Sequence, residues 1–300
     1  MKKFLLIVLA VISLTATHAQ QSSTDANRMQ RLKALNEIKD PLQLKAELNK
    51  LSKSNLEDDL SIAYSFYSYK EMADEAEKVK KTAIKKFPKG SLAFQSKIEA
   101  ISKIEDLDEK DRRLKELQKS FPKQNLGFVA YNMARAYAGK GNEAKMLEYA
   151  DIFGQTATDG KGNKLTPSKL YGSIASGLVR SNPGAALKYL KPAVDEARIS
   201  LDELEVNPQS NANLLMRVKS SYYVYLTGYM NALLGTKNPE AAYPLAVEAY
   251  KKVNSDTSLQ EQTKASVRNV YTSILIETKR FKEALPLMEE AIIGGASFET

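Results

Sequence analysis

Phe87-Pro88-Lys89, followed by Leu92 and Phe94, recurs 34 residues later as Phe121-Pro122-Lys123, followed by Leu126 and Phe128. A period of 34 residues is the length of one helix-turn-helix unit in a repeat array, and such a unit buries its apolar face only against neighbours. Proline closes each copy because it lacks the N–H that a helix needs and keeps the preceding residue out of the α region. Two copies of one corner therefore predict a stack of helix pairs, an architecture that more often binds than catalyses.

Outward from these corners the apolar residues keep helical spacing. Leu32, Leu35, Ile38 and Leu42, then Leu44, Leu48 and Leu51, recur every three or four positions, which predicts helix. Runs of alternating β-branched residues, the mark of a strand, are missing. Alanines seven apart (Ala76/Ala83, Ala186/Ala193, Ala242/Ala249, Ala284/Ala291) fall where two helices touch, because only a short side chain lets their backbones approach. About six units result. The first has Ala63, Tyr64 and Tyr67 on its leading helix, and the second runs from about 91 to 124. The third holds Tyr131–Tyr137 and a Gly141-Asn142 turn; the fourth holds Leu170, Ile174 and Gly177 before a Ser181-Asn182-Pro183-Gly184 turn. The fifth has Tyr225, Tyr229, Met230 and Leu233 before Asn238-Pro239, and the sixth begins at Lys279. Residues 29–300 are read as one domain. Residues 154–167 are turn-rich, and 204–213, with Pro208, form a candidate hinge.

Tyr131-Asn132-Met133-Ala134-Arg135-Ala136-Tyr137 with its Gly141-Asn142 turn, and Lys279-Arg280-Phe281-Lys282-Glu283-Ala284-Leu285, resemble the tetratricopeptide-repeat superfamily. The resemblance covers nearly all of residues 29–300. It implies an all-α, right-handed α-solenoid of six or seven hairpins, whose leading helices line a concave groove for a protein or peptide. More narrowly, the ending Phe-Lys-Glu-Ala-Leu-Pro-Leu-Met-Glu-Glu-Ala-Ile (281–292) is similar to the helical region upstream of thioredoxin-like domains in periplasmic thiol-disulfide oxidoreductases of the TlpA type. The chain carries no Cys-x-x-Cys, so in that reading activity resides in a domain absent from it.

The start reads as an export signal. Lys2 and Lys3 precede an apolar stretch from Phe4 to Leu14, and Thr17 and Ala19 are small residues placed for a cut between Ala19 and Gln20. Residues 1–19 are thus expected to leave, 20–28 to be a disordered lead-in, and the product to be periplasmic or secreted. The apolar stretch is shorter than the roughly 20 residues that span a bilayer, so no stable membrane insertion is expected after cleavage. Cleavage also removes His18, the one histidine, from a chain that has no Cys and no Trp. A Ser-His-Asp or Cys-His catalytic group is then excluded, as is a zinc site of the usual ligands. The prediction is a non-enzyme with no catalytic residues, cofactor or metal.

The net charge of +8 becomes +6 when Lys2 and Lys3 leave, 42 basic residues against 36 acidic. Outside the cytosol that balance points away from nucleic acid; it fits either dispersed solubilising charge or an anionic surface. Lys78, Lys81, Lys85 and Lys89 make a basic stripe at helical spacing, either a solvated face or a contact for an anionic partner. Gln95, Tyr131, Arg135, Tyr171, Asn231 and Asn269 are the candidate groove residues on leading helices, with Arg135 able to pair a carboxylate. Tyr222, Tyr223, Tyr225 and Tyr229 form either a core stripe or a platform for a sugar ring or peptide, which keeps a glycan-binding module open as an alternative.

Overall fold

A computed structural model of the protein describes residues 19–158, 162–207 and 211–293. The described residues hold fifteen helices and no strand, so the fold is all-α. The expected export signal lies outside them except for Ala19. Two compact units divide the chain: Met1–Val129 with Gln155–Thr158, and Ala130–Gly154 with Asp159–Thr300. The division falls between Val129 and Ala130, not at the candidate hinge 204–213.

In the first unit the helices are α1 (Ala19–Glu37), α2 (Pro41–Lys53), α3 (Glu57–Tyr69), α4 (Ala73–Lys86), α5 (Ser91–Ser102) and α6 (Leu107–Ser120). Asp40 starts α2 by accepting a hydrogen bond from the Leu42 N–H ahead of Pro41, and Asp106 starts α6 by accepting from Glu109 N–H. Each helix packs on the next or next but one, around Leu60, Ile62, Ala63, Phe66, Val79 and Ala83. Residues 20–28, expected as a disordered lead-in, are helical and belong to α1. Two arginines pin this helix to α3: Arg28 donates to the Ser61 carbonyl (3.2 Å) and Ser65 Oγ (3.1 Å), and Arg31 pairs with Asp59 (2.6 Å).

The two Phe-Pro-Lys corners are repeated in space. Phe87 and Phe121 end α4 and α6 in nearly one conformation (φ −127°, ψ 72° and φ −130°, ψ 63°). In both, the carbonyl of the phenylalanine accepts from the N–H three residues on, Gly90 and Gln124, at 3.0 Å. Polar side chains then reach across one repeat. The Glu57 carboxylate accepts from the Ser91 N–H and hydroxyl at the start of α5, an anion at a helix N-terminus. Lys86 donates to the carbonyls of Lys53 (3.3 Å) and Ser54 (2.8 Å) at the end of α2, and Lys89 to that of Ser120 (3.0 Å) at the end of α6. These are cations at helix C-termini.

The second unit contains α7 (Phe128–Gly139, from Ala130 onward), α8 (Glu143–Gly154), α9 (Pro167–Ala175), α10 (Leu178–Ser181), α11 (Pro183–Val206), α12 (Ala212–Gly235), α13 (Pro239–Ser255), α14 (Glu261–Glu277) and α15 (Phe281–Ile293). Here the helices close on one another through missing side chains. A Cβ at Gly172 would overlap that of Ala193; one at Gly235 would lie 2.8 Å from Pro183, and one at Gly177 2.9 Å from Ala138.

Four helix pairs, one in the first unit and three in the second, share one turn. Glu71, Gly141, Lys237 and Lys279 all take positive φ, at 58°, 73°, 59° and 59°. Around each, the N–H of the following residue reaches the carbonyl five back (Met72 to Tyr67, Asn142 to Tyr137, Asn238 to Leu233, Arg280 to Leu275), and the positive-φ residue reaches the carbonyl three back. This pair of bonds is the Schellman motif, which satisfies the last carbonyls of a helix. Glycine is the residue suited to that conformation, yet only one of the four sites carries it.

Candidate functional site

The groove of interest lies within the second unit, floored by α12 and walled by α11 and α13. It exists because α11 and α12 are long, 24 residues each against 17 for α13. Asn182 sets the start of α11 by accepting from Ala185 N–H; Asn211 sets that of α12 by accepting from the N–H groups of Asn213 and Leu214.

Two lobes make up the groove. The polar lobe, about 390 Å³, is lined by Arg198, Asp202, Glu205, Lys219, Asp256 and their neighbours. The second lobe, about 350 Å³, is lined chiefly by apolar side chains: Val194, Leu226, Tyr229, Ala241, Pro244 and Leu245. Arg198, Tyr222, Tyr223 and Lys252 line both. Each lobe lies in the range usual for small-ligand sites.

Most charges around the polar lobe are already engaged. Lys219 pairs with Asp256 (2.7 Å) and Glu205 (3.5 Å). Burial is the largest single influence and opposes charge on that lysine, but the hydrogen bonds and charges of Asp256 and Glu205 together outweigh it, and its pKa lies above the ordinary value. Asp256 is the mirror case: burial raises its pKa, while Lys219 and the hydroxyl and N–H of Ser258 carry it below the usual carboxylate value. Lys252 pairs with Glu248 (3.1 Å) and Lys191 with Asp195 (2.7 Å). Arg198 and Asp202, four residues apart on α11, have no ion pair or hydrogen bond among the described residues.

The floor is the pair Tyr222 and Tyr223, 8% and 5% exposed, with ring centroids 5.1 Å apart in an edge-on contact. Neither hydroxyl has a hydrogen-bond partner among the described residues, and both stay open to the groove while their rings are buried. Burial pushes both pKa values up; the charge of Arg198 opposes this at Tyr222, and Tyr222 itself adds to it at Tyr223. Both phenols are therefore neutral donors at physiological pH.

The residues expected to line a groove fall elsewhere. Gln95 is half-buried on α5 of the first unit. Tyr131 and Arg135 share a face of α7, the guanidinium 5.8 Å from the ring centroid, and Phe153 lies 5.2 Å from the same ring. Tyr171 on α9 donates to Asp151 (2.5 Å), and this bond, with burial, pushes its pKa up to about 12. Asn231 is half-buried on α12; Asn269 is exposed on α14. Of the six, only Tyr131 and Arg135 are brought together. Of the basic stripe, Lys78, Lys81 and Lys85 are exposed on α4, whereas Lys89 is turned onto Ser120, with its ammonium 5.2 Å from the Phe121 ring.

Arg198, Asp202, Lys219 and Lys252 were not among the residues singled out from the sequence. The signal available was the absence of any break between Gly184 and Asn207 other than Pro192, which permits a helix longer than one repeat arm. Models of known families, characterised proteins and solved structures contain no match to this chain.

Proposed function

We propose that this protein is a non-catalytic binding module of tetratricopeptide-like helix pairs, exported from the cell, that holds a peptide segment of a partner in the groove of its second unit. The observation carrying this reading is the groove's division into an apolar and a polar lobe over one floor, with two phenol hydroxyls open to it and unbonded to protein. An apolar side chain and the polar group beside it on a peptide would meet complementary surroundings, while a rigid helical frame keeps the ordering cost low. The repeat reading draws support from the two matching Phe-Pro-Lys corners and the four matching turns. Export draws support from Lys2, Lys3 and the apolar stretch that follows. Among the described residues no helix is long and apolar enough to cross a membrane.

The glycan alternative draws less support, because Tyr222 and Tyr223 are 8% and 5% exposed and leave little ring area for a sugar to stack on. The test is selection from a random peptide library displayed with free C-termini, followed by anisotropy measurements on the selected peptides. Ala241 is exposed and lines the apolar lobe, so Ala241→Trp fills that lobe at little cost to folding. Selected peptides should bind the parent chain and lose at least about tenfold in affinity on this variant. A selection that yields no binder, or binders indifferent to Ala241→Trp, sinks the reading.

A further inference from the structure

Resting on the peptide-binding reading above, we infer that the polar lobe takes a carboxylate of the bound segment, held by Arg198 and the hydroxyls of Tyr222 and Tyr223, while an adjoining apolar side chain fills the second lobe. The polar lobe holds unmatched donors. Lys219, Asp256 and Glu205 close on one another, and Lys252 and Lys191 each have a carboxylate one turn away on their own helix. What remains without a partner is the Arg198 guanidinium, the hydroxyls of Tyr222, Tyr223 and Thr257, and the Asp202 carboxylate.

All of these groups but Asp202 can donate. Both rings are more than nine-tenths buried, while each hydroxyl lacks a protein acceptor and stays open to the groove, so an incoming acceptor meets donors that no protein group already occupies. A carboxylate suits the set because its two oxygens accept several hydrogen bonds at once and match a guanidinium in charge and shape. An ammonium would face Arg198 and the hydroxyl donors, and it would bring no acceptor to them. Asp202, one turn along α11 from Arg198, repels an anion at its own end of the lobe. It therefore sets the direction in which the ligand lies. An inorganic anion would match the donors but leave the apolar lobe filled with water, and the continuity of the two lobes through Arg198, Tyr222, Tyr223 and Lys252 favours a ligand that carries both kinds of group.

This groove is not the one implied by the repeat resemblance. That groove runs along leading helices, whereas the walls here, α11 and α13, are trailing helices of their pairs.

The probe is the tightest peptide from the library selection, synthesised as the free acid, as the C-terminal amide, and with each internal Asp or Glu replaced by Asn or Gln. Removal of one particular carboxylate should weaken binding about tenfold or more. If the amide is the weak form, the carboxylate is the terminal one; if a side-chain replacement is, it is internal. Arg198→Gln, a change at an exposed and unpaired position, should erase the difference between the strong and weak forms. Tyr222→Phe and Tyr223→Phe should each weaken the strong form several-fold, and Asp202→Asn should tighten it. Equal binding of all forms, with Arg198→Gln without effect, overturns the inference while peptide binding itself stands. Displacement of the peptide by inorganic phosphate at concentrations where acetate has no effect also overturns it. Failure of the library to yield any binder removes the reading on which the inference rests.

Discussion

Polar side chains reach across one repeat in both units, Lys188 to Glu143 and Arg280 to Glu240 in the second, but the second unit adds close packing of glycine against neighbouring helices. In the first, charged side chains reach across one repeat and cap the ends of the neighbouring helices: Glu57 at the start of α5, Lys86 at the end of α2, Lys89 at the end of α6. In the second, the added contact is made by atoms that are not there, with Gly172 against Ala193, Gly177 against Ala138 and Gly235 against Pro183. A clasp joins helix ends and tolerates small shifts, because a long side chain can follow. Close packing of backbones tolerates none, and it leaves long helices such as α11 and α12 to run past their neighbours and open a groove.

Adding one methyl group to each unit sharpens this contrast most. Gly172→Ala should destabilise the second unit by about 1–3 kcal/mol through overpacking, less the gain in helix propensity of up to about 1 kcal/mol. Gly90→Ala in the first unit would meet only the Glu57 carboxylate, the far end of a flexible side chain, and should cost less than Gly172→Ala. Hydrogen exchange resolved by residue would report each unit separately, and a larger loss from Gly90→Ala would break the contrast. The clasp itself comes next. Glu57→Ala should cost about 1–2 kcal/mol, because it strips a charged acceptor from the first N–H of α5, with lost protection concentrated in α3 and α5. Protection lost equally in α11–α13 would mean the clasp is not local.

A smaller effect is a matter of pH. The folded pKa of Tyr171, about 12, lies above its ordinary value near 10, so the stability from its bond to Asp151 is fully present below pH 10. It should be lost as pH rises from 10 towards 12. Tyr171→Phe should flatten that part of the stability profile, and an unchanged profile would show that the bond does not persist in solution. Smallest of all, Lys237→Gly relieves a left-handed conformation and should raise stability by about 0.5 kcal/mol once glycine's extra chain entropy is counted. Glu71→Gly should do the same in the first unit, since the turn is common to both. A loss at either site would show that its side chain contributes more than its backbone strain costs.

Much of the frame was legible in the sequence, because it follows from local rules. The Phe-Pro-Lys corners stop α4 and α6 where proline demands it, Asn182-Pro183 starts α11, and Gly141 supplies one positive φ. The other three turns were opaque, since Glu71, Lys237 and Lys279 occupy a conformation that sequence rules reserve for glycine or asparagine. The groove was opaque for another reason. Tyr222 and Tyr223 are adjacent, and adjacency on a helix points side chains about 100° apart; both are buried only because α12 is packed by α11, α13 and α14. Arg198 and Asp202 look like ordinary surface charges until the partners of every neighbouring charge are known. Residues 204–213, the candidate hinge, read as a break because of their polarity; α11 ends within them at Val206 and α12 starts within them at Ala212.

The four matching turns bear on how quickly the chain can find its structure. Each closes within six residues, so each forms on the timescale of local events, before distant segments must meet. Four such nuclei spread between Tyr67 and Arg280 mean that no single turn gates the search. A substitution that cripples one leaves three from which neighbouring pairs can assemble, and refolding rates should be far less sensitive to any one turn than the equilibrium is.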